Sequence, residues 1–482
     1  MTDEREGGST SPVEVSLKRD LGLVEVLMIG LGPNIGSTIF VLVGFGVQIA
    51  GPALLLSLIL NFFVTLLTAV SYMELSSAFP ETGGGYLWVR EGLFPPLGFL
   101  GGWMSWIGHC IACAVYVLGF GEGVTWLMQQ YGVSIVGIDP SILVKVFAVV
   151  IALVFTYMNY RGIKGAGRTQ FYVSVILVGI IVIYLICALA AIFQNGIVTG
   201  AFDPFVPFGL MSIGSSMAFT FMIFEGYEIV AQTGEEAKDP ERTVPKAMIL
   251  CILISAVIFV VITAVTLAVS GWQEVAEGGT QAIAITAQKI VPVLGAALIS
   301  IGTMIGSVAA INSVIFSTSR VSFAMGRDGT LPSVFGRLHA KNMTPYASIF
   351  FSAAIIIGIS VTLPIEQVAS VADILILILF VFVNAAAITL RKKRTDVKRR
   401  FITPFFPWIP VAGIITKMVL SITLFEVEPL AWYFAIAVIY AGLAMYYFSR
   451  GKKEIEEIEV PAREAPTVES LKRYRVLLPI DD

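Results

Sequence analysis

Two runs decide how this chain is read: Gly30-Leu31-Gly32-Pro33-Asn34-Ile35-Gly36-Ser37-Thr38-Ile39-Phe40 and Phe224-Glu225-Gly226-Tyr227-Glu228. Each interrupts a long apolar stretch. In the first, Pro33 lacks an N–H and clashes with the preceding turn, while Gly32 and Gly36 remove side chains that would hold a helix. In the second, two carboxylates flank a glycine in apolar surroundings. Backbone at membrane depth leaves the helix only where protein or a water-filled cavity satisfies its polar groups. Taken alone, either break is as readily a kink or a close helix crossing. Breaks in corresponding positions of two halves point instead to a transporter's binding site.

The rest of the chain sets these runs in a membrane. Of 482 residues, 56% are hydrophobic and 13% charged, where a soluble domain carries about 25% charged residues. The chain has apolar length for roughly a dozen spanning helices of about 20 residues. Apolar runs delimited by turns and charges give spans at 22–48, 52–78, 95–127, 141–159, 169–193, 208–232, 246–270, 292–324, 345–364, 367–390, 404–425 and 430–449. With the N-terminus inside, 28 of the 31 Lys and Arg residues fall at cytoplasmic positions. The opposite loops carry Asp139, Asp203, Glu274, Glu277, Glu366, Glu426 and Glu428, with Lys289 as their only base. This asymmetry predicts a multi-pass protein of the cell membrane with both termini cytoplasmic. The polar first twenty residues predict no signal peptide. A net charge of −3 argues against a nucleic-acid binder. Cys110, Cys113, Cys187 and Cys251 lie within apolar runs and imply no disulfide framework.

At this point the residues resemble a known family, the amino acid–polyamine–organocation (APC) transporters. Ile35-Gly36-Ser37-Thr38-Ile39-Phe40 is similar to the family's first-helix motif I-G-(S/A)-G-I-F. Gly226-Tyr227-Glu228, with Glu235-Glu236-Ala237-Lys238-Asp239-Pro240-Glu241-Arg242-Thr243-Val244-Pro245 after it, resembles the sixth helix and its following loop. Ser319-Arg320-Val321 through Met325-Gly326-Arg327-Asp328-Gly329-Thr330-Leu331-Pro332 looks like the eighth-helix exit. The match covers about residues 20–450. It implies an all-α polytopic fold of about 12 transmembrane helices. Spans 1–5 and 6–10 would be inverted repeats with discontinuous helices 1 and 6, and two helices would be added. A tail at 1–20 precedes the transporter domain at 21–450.

In such transporters the substrate carboxylate meets backbone N–H groups at the first break and its amino group meets carbonyls at the sixth. By motif, Ile35, Gly36, Ser37 and Thr38 would form the anion side. Phe224, Glu225, Gly226 and Tyr227 would form the cation side and an aromatic gate. Half-helix dipoles make this arrangement physically sensible. Two departures matter. Thr38 replaces the family's second glycine, and its β-branched side chain narrows the backbone approach. Glu225 stands where an uncharged residue is usual, which favours a dibasic amino acid or polyamine, or a bound proton. Leu177 occupies the place where many relatives carry a lysine that stands in for sodium.

Ionisable groups at membrane depth are functional candidates by default. Glu228 matches the family's acid beyond the sixth break and is the leading proton carrier; its alternative is a protonated tie between helices. Glu225 is close enough in sequence for the two titrations to couple. His109, near the middle of span 3, could touch substrate or titrate, or simply bond a neighbouring helix. His109, Cys110 and Cys113 share a helix face, but packing explains them better than a metal, and no metal is expected. Ser307, Asn312 and Ser313 offer oxygens of the kind that ligate Na⁺, or interhelical hydrogen bonds. Lys145 and Lys417 read as structural.

The expected function is a secondary active transporter of amino acids or related amines. It would work by alternating access, driven by H⁺ or by exchange, with no enzymatic activity and no cofactor. Its partners are a small-molecule substrate and the lipid bilayer, and the sequence leaves oligomeric state open. Sodium coupling, a polyamine or inorganic cation as cargo, and an amino-acid sensor are the alternatives. The segment 451–482 reads as a cytoplasmic tail whose ending, Tyr474 to Asp482, resembles the opening strand of a universal stress protein domain.

Overall fold

The computed structural model describes residues 21–459, apart from 81–82, 134–136, 163–165, 235, 293, 340–341 and 343. The segments 1–20 and 460–482, and with them the stress-protein-like ending, lie outside the described residues, as do Lys164, Glu235 and Lys341.

The first span is two helices, α1 (Leu23–Ile35) and α2 (Thr38–Ala50), followed by a 3₁₀ turn and α3 (Leu54–Ala78). A short α4 (Gly85–Gly92) precedes α5 (Pro95–Gln130), α6 (Pro140–Arg161) and α7 (Ala166–Asn195). The sixth span comprises α8 (Met211–Thr220), a 3₁₀ segment Phe221–Phe224, α9 (Tyr227–Val230) and a 3₁₀ turn Ala231–Thr233. Then come α10 (Pro240–Ser270), α11 (Trp272–Gly278), α12 (Ala282–Ile290) and α13 (Gly295–Arg327). The chain continues with α14 (Tyr346–Thr362), α15 (Ile365–Lys393), α16 (Trp408–Val427) and α17 (Pro429–Glu459).

Nine stretches among the described residues are long and apolar enough to cross a membrane. One of them, Leu23–Ala78, has 56 residues, about 84 Å as a straight helix, against a hydrocarbon core of about 30 Å. It therefore makes two crossings, divided at Gly51–Ala53. Gly51 turns there with φ 60°, and a Cβ on it would lie 2.5 Å from Pro207 Cγ. Adding α14 and the broken sixth span to these gives twelve. The sequence places all twelve, but it reads α4, α11 and α12 as loop. These have eight, seven and nine residues, too few to span and too short to stand out as apolar periods.

Helix packing follows a rule of five. α5 packs on α13, α3 on α10 and α6 on α14, which pairs spans 3–8, 2–7 and 4–9. The remaining pairings come in mates: α1 on α10 with α8 on α3, and α15 on α5 with α7 on α13. Two five-span repeats generate this pattern, and an odd number of crossings inverts the second relative to the first. α16 and α17 lie outside the repeats, packed on α15.

The acidic end of the bundle is capped by the stretch from α11 to α12. A Cβ on Gly44 of α2 would lie 2.0 Å from the Gly279 carbonyl oxygen, so α2 carries that cap on bare backbone. Gly44→Val is expected to lift it. Overpacking of this kind costs about 1–3 kcal/mol, and a lower melting temperature in detergent checks it.

Candidate transport site

The first break falls at Gly36-Ser37 and not at Pro33, through which α1 continues to Ile35. The Gly36 N–H donates to Gly32 O at 2.9 Å, and Tyr116 OH donates to Pro33 O at 3.0 Å, so the span is held on both sides of the proline. Gly36 has φ 33° and ψ −149°. Its carbonyl lies against α13, where a Cβ on Gly306 would come within 2.3 Å of the oxygen. Phe40 and Val41 donate to Ser37 O. Ahead of them, the N–H groups of Ser37, Thr38 and Ile39 have no acceptor within their helix, which is the ordinary condition of a helix N-terminus. Here that N-terminus is in the protein interior.

The sixth break faces it. Glu225 is extended and Gly226 takes φ 129°, ψ −29°. A Cβ on Gly226 would lie 2.8 Å from Asn34 N and 3.0 Å from Gly30 O. The two broken spans therefore touch backbone to backbone. Asn34 ties them further, its Nδ2 donating to Phe224 O at 3.1 Å.

Glu228 curls back so that both its oxygens accept from Gly226 N, at 2.9 and 2.8 Å. His109 Nε2 lies 3.2 Å from Glu228 Oε1, and His109 Nδ1 lies 2.5 Å from Ser105 O. A carbonyl oxygen only accepts, so Nδ1 carries a hydrogen. The Nε2–Oε1 contact then needs one further hydrogen, on either partner. In both forms the contact holds one hydrogen and the pair is neutral overall, as suits two side chains only 3% exposed.

A second charged group adjoins the break. Glu225, Asp373 of α15 and Lys417 of α16 are all buried ionisable side chains. Lys417 is fully buried, donates from Nζ to Val64 O at 2.9 Å and sits 4.3 Å from the centroid of the Phe221 ring.

Several buried polar atoms around the breaks have no hydrogen-bond partner: Asn34 Oδ1, Ser37 Oγ, Thr38 Oγ1, Glu225 Oε1, Tyr227 OH and Ser307 Oγ. Native interiors pair nearly all such atoms, so water or a bound solute is needed to complete their hydrogen bonds. The place is shut at both ends. The α11–α12 cap covers one side, with Gln281 Nε2 donating to Glu122 Oε2 at 2.9 Å. At the basic end Arg320 pairs with Glu236 at 2.9 Å, Arg90 with Asp328 and Arg400 with Glu241 at 2.5 Å. Glu74 there takes Arg391, Arg399 and the Thr403 amide.

Ile35, Gly36, Ser37, Thr38, Phe224, Glu225, Gly226, Tyr227 and Glu228 all lie buried at the paired breaks. Phe224 packs edge-on against Phe259, and Tyr227 joins Tyr72 and Phe380. His109 meets Glu228 directly. Ser307 belongs to the group, since a Cβ on Gly119 would meet Ser37 Oγ at 2.8 Å and Ser307 Oγ at 3.4 Å. Asn312 turns away, its Oδ1 accepting from Asn159 Nδ2 of α6 at 3.5 Å. Ser313 and Leu177 are buried on α13 and α7. Lys145 donates to Val361 O at the end of α14. Sequence reading passed over Asp373, although a lone acid in an apolar span was signal enough.

The sequence model for amino acid permeases matches residues 21–448. The chain belongs to that family. A branched-chain amino acid permease of Bacillus subtilis (strain 168), BcaP, is 29% identical over 92% of this permease and 96% of its own length. The methylthioribose transporter of the same organism is 27% identical over 91% and 95%. Its serine/threonine exchanger SteT is 26% identical over 91% and 98%. The family and these relatives are transporters, not enzymes. This permease is accordingly a multi-pass membrane protein of the APC superfamily that transports amino acids.

Proposed function

We propose that this permease carries amino acids or related amines by alternating access around the paired breaks, with H⁺ coupled through Glu228 and His109 and both termini cytoplasmic. The observation that carries the reading is the juxtaposition of the two breaks. The free N–H groups at Ser37–Ile39 suit a carboxylate, and the carbonyl end of the sixth half-helix suits an ammonium. Closure at both ends is what an occluded intermediate requires. The amino acid permease family, the branched-chain permease and the serine/threonine exchanger support amino acids as the cargo class. The one-sided Lys/Arg distribution supports the orientation.

The His109–Glu228 bond supports proton coupling because it joins span 3 to span 6 beside the break. Loss of the shared hydrogen leaves two acceptors facing each other and a negative charge, while a second proton leaves a positive charge. Sodium is the second reading, favoured by the unpartnered hydroxyls of Ser37 and Ser307.

The test is uptake of labelled amino acids and polyamines into proteoliposomes under an inward proton gradient, an inward sodium gradient, or neither. Wild-type uptake is expected to rise with the proton gradient. Glu228→Gln is expected to lose that stimulation. Stimulation by sodium alone would replace the proton with the second reading, and binding without uptake of any compound would overturn the carrier mechanism.

A further inference from the structure

Away from the breaks, a hollow of about 380 Å³ opens between α7, α10 and α12 at the acidic end of the bundle. Its α7 wall changes character with depth. Cys187, Ala190 and Ala191 line the inner part, and Gln194 and Asn195 line the outer part, where the helix ends. From Cys187 to Asn195 is about 12 Å of helix, against about 15 Å for half the hydrocarbon core. The neighbouring Ile186, Leu189 and Phe193 lie outside the hollow and are exposed. The recess therefore faces the bilayer, and it exists because its own residues are small. Water does not fill it at depth, since a water needs two to four polar partners and the thiol and two methyls there supply almost none.

The facing rim is charged. Lys289 lines the hollow from the last turn of α12 and pairs with Glu274 of α11. It is the only base of the loops at that end. Both side chains are partly exposed, 46% and 37%, and a pair so placed is weak by itself. An ammonium has three hydrogens and a carboxylate about four acceptor positions, so contact with each other leaves both with bonds to make. A cation and an anion side by side, at the mouth of an apolar recess, are complementary to a headgroup that carries a phosphate and an ammonium a few bonds apart.

We infer that the hollow between α7, α10 and α12 seats one zwitterionic phospholipid of the leaflet at the acidic end, with its phosphate on Lys289, its ammonium on Glu274 and the upper part of one acyl chain against Cys187, Ala190 and Ala191. The carboxamides of Gln194 and Asn195 stand at the level of the glycerol and phosphate oxygens. The chain supplies the fit and the charge pair supplies the choice of headgroup. α12 also forms the second half of the cap and rests on α13 at the bare backbone of Gly295. A lipid in the hollow thus braces the cap from the membrane side.

The experiment uses the full-length protein, purified and washed free of loosely held lipid. Phosphatidylethanolamine or phosphatidylglycerol with the same chains is then offered, and the lipid kept per protein is read by native mass spectrometry. Wild type is expected to keep about one phosphatidylethanolamine and to hold phosphatidylglycerol about tenfold more weakly, the worth of one charge-assisted hydrogen bond. Lys289→Gln is expected to weaken both lipids by about the same factor, and Glu274→Gln to remove the preference between them. Ala190→Phe fills the hollow without touching either charge and is expected to abolish retention. Leu189→Phe, on the exposed face beside it, is expected to retain lipid as wild type does. Equal retention by Ala190→Phe and wild type, or equal affinity of wild type for the two lipids, overturns the inference. A rise in melting temperature with free phosphoethanolamine that matches the rise with the whole lipid also overturns it, since the rim would then bind ions without a chain in the hollow.

Discussion

Gly226→Ala is expected to abolish both uptake and substrate binding while the spanning helices remain formed. The added methyl would lie 2.8 Å from Asn34 N and 3.1 Å from Asn34 Cα, backbone atoms of the facing broken span with nowhere to move. The residue also holds φ 129°, a region that costs an L-amino acid about 1–3 kcal/mol. Overpacking against fixed backbone adds a cost of about the same size. Relief comes by rotating the peptide, which withdraws the Gly226 N–H from Glu228 and pulls the sixth break off the first. Uptake and equilibrium binding check the functional loss, and circular dichroism checks that helicity persists. An alanine variant with wild-type transport would place the working break elsewhere.

Glu74→Ala is expected to have the largest effect on stability. Glu74 is only 2% exposed, at the basic end of α3. It accepts from Arg391 Nε at 2.8 Å and from Arg391 Nη2, lies 3.3 Å from Arg399 Nε and accepts from Thr403 N at 2.9 Å. Removing the acid strands two largely buried guanidinium groups and a backbone donor. Breaking a buried pair by deleting one partner costs about 3–5 kcal/mol. The same cluster pins the segment between α15 and α16 to the end of α3, so the variant is expected to melt earlier in detergent and to admit water at the basic end. Thiol labelling of a reporter cysteine near Thr403 measures that access. An unchanged melting temperature together with unchanged labelling would show that solvent already reaches the cluster.

The spans and the breaks were legible because their signals are local. A run of apolar residues, a glycine pair or a charge cluster means the same thing wherever the helix later packs. Pro33 was over-read. It stays helical because Tyr116 OH donates to its carbonyl and Gly36 N–H donates to Gly32 O, contacts set by span 3 and by the turn itself. The His109–Glu228 bond was hidden for the opposite reason. It joins residues 119 positions apart and depends on the rotation of span 3 about its axis, which apolar periodicity leaves open when a helix is buried nearly all round. Asn312 shows the same limit, since one step around α13 from Ile311 sends it to α6 instead of the break. Lys417 reads as structural on sequence alone, and the packing of α16 on α3 and α8 sets its ammonium on Val64 O and over the Phe221 ring.

The two 3₁₀ segments that flank the sixth break, Phe221–Phe224 and Ala231–Thr233, have a mechanical meaning. A 3₁₀ helix rises about 2.0 Å per residue and an α-helix about 1.5 Å. Over these seven residues the difference is about 3.5 Å. Rewinding either segment shortens the span and draws the Glu225–Gly226 break along its own axis, with each turn trading one hydrogen-bond partner for the next. The span thus carries a built-in stroke, comparable to the width of an ammonium group, that needs no helix to tilt.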